Sequence, residues 1–221
     1  MDIKYLGHSS FFIRISPPAG GAKLVTDPFD PKTVGLKFPK TEADIVTVSH
    51  QHGDHNNSKA VEGSPLIIDM PGEYERKGLR VFGFQTYHDK QKGAERGENI
   101  VYKFEGDDVS VLHCGDLGLV WDDAFVDQLG DIDVLMVPVG GFYTIDANEA
   151  VELIRKIEPS IVIPMHYGHS KLNPQIFAKL SPLEDFLKKI GAESSTPVPK
   201  LVIKKEELSE EMKVITMEIS S

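Results

Sequence analysis

The sequence holds a single cysteine, Cys114, in 221 residues. It excludes an internal disulfide and fits a reducing, cytoplasmic compartment. No apolar run approaches the roughly 20 residues that a membrane-spanning helix needs. The opening Met1-Asp2-Ile3-Lys4 enters a strand pattern directly, without a secretory-signal layout, so no membrane association is expected. Positive charge is in short supply: 24 Lys and Arg face 34 Asp and Glu, for a formal net charge of −10. That balance lacks the basic footprint of a nucleic-acid or anionic-membrane binder, so no nucleic-acid partner is expected. No G-x-S-x-G string is present, which removes the nucleophile-elbow signature of serine hydrolases.

What the chain has in excess is concentrated in one place. Ser49-His50-Gln51-His52-Gly53-Asp54-His55 puts three imidazoles and a carboxylate into six residues. These are the N and O donors that zinc and related divalent ions take. The preceding Asp44-Ile45-Val46-Thr47-Val48 reads as a buried strand, so the cluster falls where a strand gives way to a loop. One ion cannot use all four donors, because adjacent Asp54 and His55 cannot easily aim where His50 and His52 aim. Two ions are the economical reading, with His50 and His52 on one and Asp54 and His55 on the other. The remaining ligands must come from later in the chain.

The rest of the chain supplies them. Strands are expected at 3–6, 11–15, 23–26, 79–86, 100–104, 109–112, 132–137 and 161–163, with a short buried one at 65–68. A turn is expected at Pro17–Gly21 and a charged surface loop at 90–98. Helices are expected at 122–129, from the Asp146/Glu149 capping signal to Ile157 with Val151, Ile154 and Ile157 on one face, and from Pro182 to Ile190. Lys200–Lys204 and Lys213–Met217 read as a final hairpin. Asp44-Ile45-Val46 follows Asp27 by seventeen positions, and Asp133-Val134-Leu135 follows Asp116 by the same interval. This spacing reads as a weak internal duplication within a single domain over residues 1–221. Strands followed by helices, given twice, predict an α/β (α+β) fold of two mixed sheets packed face to face with helices outside, a four-layer αββα sandwich.

His88, after an apolar strand, completes the first ion's set with His50 and His52. His113 competes for that role but sits on a strand and reads as a packed histidine. His166 ends an Ile-Val-Ile strand and joins Asp54 and His55. Asp116, on the turn after Gly115, is the natural bridge, since one carboxylate can serve both ions. Asp27 reads as a support that holds the ligand loop through hydrogen bonds. His8 and His169 remain open between a structural role and a substrate contact, and Tyr143 and Tyr167 are candidates for the pocket wall.

His50-x-His52-x-Asp54-His55, followed by His88, Asp116 and His166 with Asp27 ahead, resembles the five-motif signature of the metallo-β-lactamase superfamily. Leu6-Gly7-His8-Ser9-Ser10, Thr26-Asp27-Pro28-Phe29, Gly115-Asp116-Leu117-Gly118, Pro138-Val139-Gly140-Gly141 and Pro164-Met165-His166-Tyr167 resemble the branch that includes L-ascorbate-6-phosphate lactonase. The resemblance spans nearly the whole chain. It implies the αββα sandwich with a dinuclear site at a sheet edge, holding two divalent ions, zinc first and manganese, iron or nickel next. It implies a hydrolase in which a metal-activated water attacks a small, anionic ester or lactone, with Asp54 and Asp116 the catalytic carboxylates. Hydrolysis of small phosphodiesters is the alternative. A diiron oxidoreductase ranks lower, because such relatives place glutamate where this chain has His52. A non-catalytic metal-binding protein ranks lower too, because the donors exceed structural need. The expected partner is a small-molecule substrate, with homo-oligomerisation left open.

Overall fold

The computed structural model describes residues 1–16, 21–209 and 211–220. Its first half forms β1 (Asp2–Gly7), β2 (Ser10–Arg14), β3 (Lys23–Thr26), α1 (Pro31–Val34), β4 (Thr41–Glu42), β5 (Ile45–Thr47), β6 (Val61–Glu62), β7 (Leu66–Ile68), β8 (Gly72–Arg76) and β9 (Leu79–Tyr87). The second adds β10 (Glu98–Gly106), β11 (Val109–His113), α2 (Asp123–Leu129), β12 (Val134–Pro138), α3 (Ala147–Ile157), β13 (Ile161–Met165), α4 (Pro174–Phe177), α5 (Leu183–Ile190), β14 (Leu201–Val202) and β15 (Lys213–Val214). One sheet runs β14-β1-β2-β3-β5-β7 and the other β15-β13-β12-β11-β10-β9-β8.

The period-2 alternation of strands decides which side chains enter the core. Ile3, Tyr5, Phe11, Ile13, Leu24 and Ile45 point from the first sheet into the principal core, which also holds Val81, Val101, Val111 and Val134 of the second. The intervening Val25 and Val46 face the other way, into a smaller cluster with Leu6, Val48, Ala43 and Val61. That face is closed by the two-stranded ribbon of β4 and β6, which supplies Val61. Over the second sheet the cover is helical: Ala150, Leu153 and Ile154 of α3 and Phe186 and Leu187 of α5 reach the principal core.

Local chemistry explains the joints. Asp107 and Asp108 both sit at positive φ, 53° and 58°, which a two-residue hairpin between β10 and β11 requires. Asp146 accepts hydrogen bonds from the Asn148 and Glu149 amides while the Glu149 carboxylate accepts one from the Asp146 amide at 3.0 Å, so α3 starts on a full capping box.

The seventeen-residue interval corresponds to a repeated structure. β2-β3 is antiparallel and β3-β5-β7 parallel; β10-β11 is antiparallel and β11-β12-β13 parallel. Asp44 clamps the start of one parallel pair, its amide donating to Lys23 O at 2.8 Å and its carboxylate accepting from Lys23 N at 2.9 Å. Asp133 does the same with Ser110, at 3.1 and 2.9 Å.

Two expectations need correction, and one strand was not anticipated. β7 is an edge strand, and Leu66 and Ile67 stand 36% and 40% exposed instead of buried, because among the described residues no strand pairs beyond it. The expected terminal hairpin does not form: β14 pairs with β1 and β15 with β13, in different sheets. β8 was not anticipated, its Gly-Glu-Tyr-Glu-Arg run carrying no apolar alternation. The expected α3 face is observed: Ile154 is buried with Ala147, Ala150 and Leu153, and Val151 and Ile157 pack half-buried against the same core. The turn expected at Pro17–Gly21 lies, but for Gly21, outside the described residues.

Candidate metal centre

Strand ends deliver the site. Asp27 follows β3, Ser49 to His55 follow β5, His88 follows β9, Asp116 follows β11 and His166 follows β13. The parallel strands of both sheets end on the same rim, the edge where open α/β sheets gather ligands. His8 joins them from the tight turn between β1 and β2. His8, Asp27 and His166 all occupy the left-handed region, at φ 57°, 40° and 52°, a backbone strain that persists where the surroundings fix the residue.

Two close approaches seat the later residues. A Cβ on Gly118 would lie 2.2 Å from Asp89 N and 2.3 Å from His88 C. One on Gly140 would lie 2.2 Å from His166 O. Only glycine allows these backbones to close on the segments carrying His88 and His166.

The donor atoms fall into overlapping groups, each with all atoms within 4.8 Å of one another. His50, His52 and His88 form one; His8, Asp54, His55 and His166 form a second; His50, His55 and Asp116 form a third that joins the other two. Asp116 lies centrally, with its carboxylate 3.3 Å from His55 Nε2, 3.3 Å from His88 Nε2, 3.2 Å from His166 Nε2 and 4.0 Å from His50 Nε2. All seven residues singled out as ligands from the sequence therefore meet in one place. His8, left open by the sequence, joins them, its Nε2 3.0 Å from Asp54 Oδ2. His113 does not: its Nε2 donates to Ser9 O at 2.7 Å. His169 also stays apart, its Nδ1 accepting from the Lys171 amide at 3.3 Å.

Supporting bonds orient the donors. Asp27 accepts from Ser49 N at 2.8 Å, from Ser49 Oγ at 2.6 Å and from His55 Nδ1 at 2.8 Å. Ser49 Oγ also stands 2.9 Å from His50 Nδ1. With the Nδ1 protons spent on these partners, the Nε2 atoms of His50 and His55 are turned to the centre. Asn99 holds Asp116 in place, its Oδ1 accepting from the Asp116 amide at 2.9 Å and its Nδ2 donating to Cys114 O at 2.9 Å. Ser49 and Asn99 were not anticipated, since neither type is distinctive at a strand end.

The electrostatics call for a cation. His50 Nε2, His55 Nε2, His166 Nε2 and Asp116 Oδ1 are buried and make no hydrogen bond. Orphaned polar atoms of this kind are costly unless a further group satisfies them. Burial would raise Asp116 and Asp54, yet the charges of His166 and His55 hold Asp116, and that of His55 holds Asp54, well below the ordinary carboxylate range. Burial works to lower His55, and the charges of Asp116 and Asp54 overcome it, holding this imidazole well above its usual range. Burial, and secondarily the charge of His55, pushes His50 well down; burial and the charge of His166 push His8 down to about 4. Ionised carboxylates, the deprotonated His50 and His8, and a His55 that gives up its proton on binding fit divalent ions around these unsatisfied atoms. His52 is exposed, so the His50/His52/His88 side opens to solvent through a cleft of about 280 Å³.

The comparisons agree with this chemistry. A family model for the β-lactamase superfamily domain matches residues 2–166. A UPF0173 metal-dependent hydrolase of Methanopyrus kandleri is 31% identical over 202 residues, covering 76% of this chain and 84% of its own. One from Staphylothermus marinus is 28% identical over 233 residues, covering 91% and 95%. A solved structure from Thermotoga maritima, described as a Zn-dependent hydrolase of the metallo-β-lactamase superfamily, superposes with a TM-score of 0.79 at 39% identity, covering 98% of this chain and 97% of its own. No helix among the described residues is long and apolar enough to cross a membrane. The chain belongs to the metallo-β-lactamase superfamily and is a metal-dependent hydrolase.

Proposed function

We propose that the chain is a dinuclear hydrolase of small anionic esters or lactones. The observation that carries the dinuclear reading is the position of Asp116, which shares its donor group with His50 of one cluster and His55 of the other. His50, His52 and His88 would hold one ion, and Asp54, His55 and His166 the second, with Asp116 between them. The donor set suits zinc first, with manganese, iron or nickel also compatible. Bound ions of this kind supply Lewis acidity, which makes water nucleophilic near neutral pH and polarises a carbonyl or phosphoryl oxygen.

The protein's own residues do the rest. His8 bonds Asp54 Oδ2 at 3.0 Å, the same oxygen that lies 3.4 Å from His55 Nε2, and so fixes that carboxylate at the centre. Asp54, with its side chain 15% exposed, can take a proton from water at the cleft and pass it to a leaving group. Asp27 and Ser49 keep His55 and His50 in one tautomer throughout. Tyr143, Ile176 and Phe177 line the cleft beside Asp54 and Asp116, a wall matched to a small organic body. Tyr143 O–H donates to Ile176 O at 2.8 Å, which ties the wall together.

The experiment pairs a metal analysis of the purified protein with turnover of a lactone and of bis-p-nitrophenyl phosphate. Two ions per chain with preferred lactone turnover supports the reading. Preferred phosphodiester turnover moves the assignment to the alternative, and one ion per chain overturns the dinuclear site.

A further inference from the structure

The metal cleft carries one basic side chain that the chemistry above does not use. Among the described residues lining it, Arg96 is the sole Lys or Arg. Arg96 also lines the two neighbouring clefts, one of about 340 Å³ beside Lys90 and Asp146 and one of about 480 Å³ beside His50 and Asp69. It therefore stands where three grooves meet at the mouth of the site, on a protein whose formal charge is −10.

Its placement is built. His88 is followed by Asp89, a buried carboxylate around which the chain winds. Asp89 accepts from the amides of Gln91 at 2.7 Å, Gly93 at 3.0 Å, Glu95 at 3.0 Å and Arg96 at 2.7 Å. One carboxylate thus ties the backbone of Arg96 to the segment that presents His88. The guanidinium then lies 5.9 Å from the centroid of the Tyr143 ring, within cation–π range. Among the described residues its one ion pair is with Glu95, at 3.7 Å and with a 62% exposed side chain, a pairing too solvated to occupy the fork. Lys90, the other cation nearby, is paired with Glu149.

We propose that Arg96 is the specificity-determining residue of the cleft, taking a carboxylate or phosphate group of the substrate while the scissile bond lies over Asp116. The proposal deepens the hydrolase reading and rests on it for the position of the scissile bond. The planar fork suits bidentate capture of either anion. A lysine offers a point charge without that fork. Tyr143 backs the guanidinium at 5.9 Å, and Ile176 and Phe177 take the apolar part of the same molecule.

The test compares wild type, R96A and R96K, each with bound metal quantified. Inorganic phosphate and acetate are titrated into each by calorimetry. R96A is expected to lose at least about 10-fold in affinity for one of these anions at unchanged metal content, with R96K between. The anion that loses more identifies the group recognised. In parallel, p-nitrophenyl hemisuccinate and its neutral methyl ester are hydrolysed. The ratio of kcat/KM, charged over neutral, is expected to fall at least about 30-fold in R96A. Unchanged anion affinity, or an equal loss on both esters, overturns the proposal and leaves Arg96 a support of its loop. If wild type hydrolyses neither ester, the hydrolase reading of small esters falls, and the titrations alone decide Arg96.

Discussion

Asp27 and His55 meet at 2.8 Å beneath the candidate metal centre, both fully buried. The same carboxylate takes the Ser49 hydroxyl at 2.6 Å, and that hydroxyl faces His50. A residue outside every donor group therefore orients one imidazole of each cluster. D27N puts an amide donor against His55 Nδ1 and removes the charge that fixes its tautomer. Metal affinity is expected to fall about 10–100-fold, the usual effect of losing an orienting partner. Competition with a chromogenic chelator measures it, and unchanged affinity contradicts the assignment.

Asp116 lies within 3.3 Å of three imidazole nitrogens that come from three separate segments. In the proposed site its loss would remove a ligand, which costs more than the roughly 100-fold ceiling for partners that merely orient one. D116A is expected to bind at least one ion fewer per chain and to lose hydrolysis by more than about 100-fold. Retention of full metal and full turnover would sink the bridging role.

The site was more legible in the sequence than the scaffold around it. His50, His52, Asp54 and His55 announce themselves because four donors in six residues have few other uses. His88, Asp116 and His166 follow because each ends an apolar strand. His8 stayed open because Gly-His-Ser-Ser reads the same in a solvated turn as in a buried one; its left-handed φ and its contact with Asp54 arise only in three dimensions. Arg96 was invisible for a related reason. Its position depends on four amides wrapping Asp89, inside a stretch that composition marks as a charged surface loop. The misplaced terminal hairpin has a different cause: β14 and β15 are two residues each, too short to encode which strand they join.

Gly118 makes a stability prediction. G118A places a Cβ against backbone atoms of His88 and Asp89, which cannot rotate away as a side-chain tip can. Overpacking of this kind costs about 1–3 kcal/mol, occasionally more. At about 2–4 °C per kcal/mol for a chain of this size, a clear drop in Tm is expected. Because the strain bears on His88, metal affinity falls with it. A G118A protein matching wild type in both melting and metal content would show that the approach of these segments is looser than 2.2 Å implies.

Metal uptake is expected to expel a proton. In the metal-free chain burial alone would strip His55, but Asp116 and Asp54 hold its proton well above the ordinary 6.5. The carboxylates themselves stay ionised at neutral pH. A cation can reach His55 Nε2 only when that proton leaves, so binding at pH 7 releases about one proton per chain. Metal affinity rises with pH until the folded pKa of His55 is passed, and the release then fades. The same shifts bracket the stability of the metal-free protein. The contribution of His55, raised in the fold, is complete below 6.5 and is lost as pH climbs through its folded value. Those of His50 and His8, lowered in the fold, are complete above 6.5 and fade as pH falls, for His8 toward about 4. Metal-free protein therefore weakens on the alkaline side, and added metal, which replaces the lost proton between Asp54 and Asp116, reverses that weakening. Calorimetry of metal binding in buffers of different ionisation enthalpy counts the protons, and a count of zero at pH 7 contradicts a protonated His55.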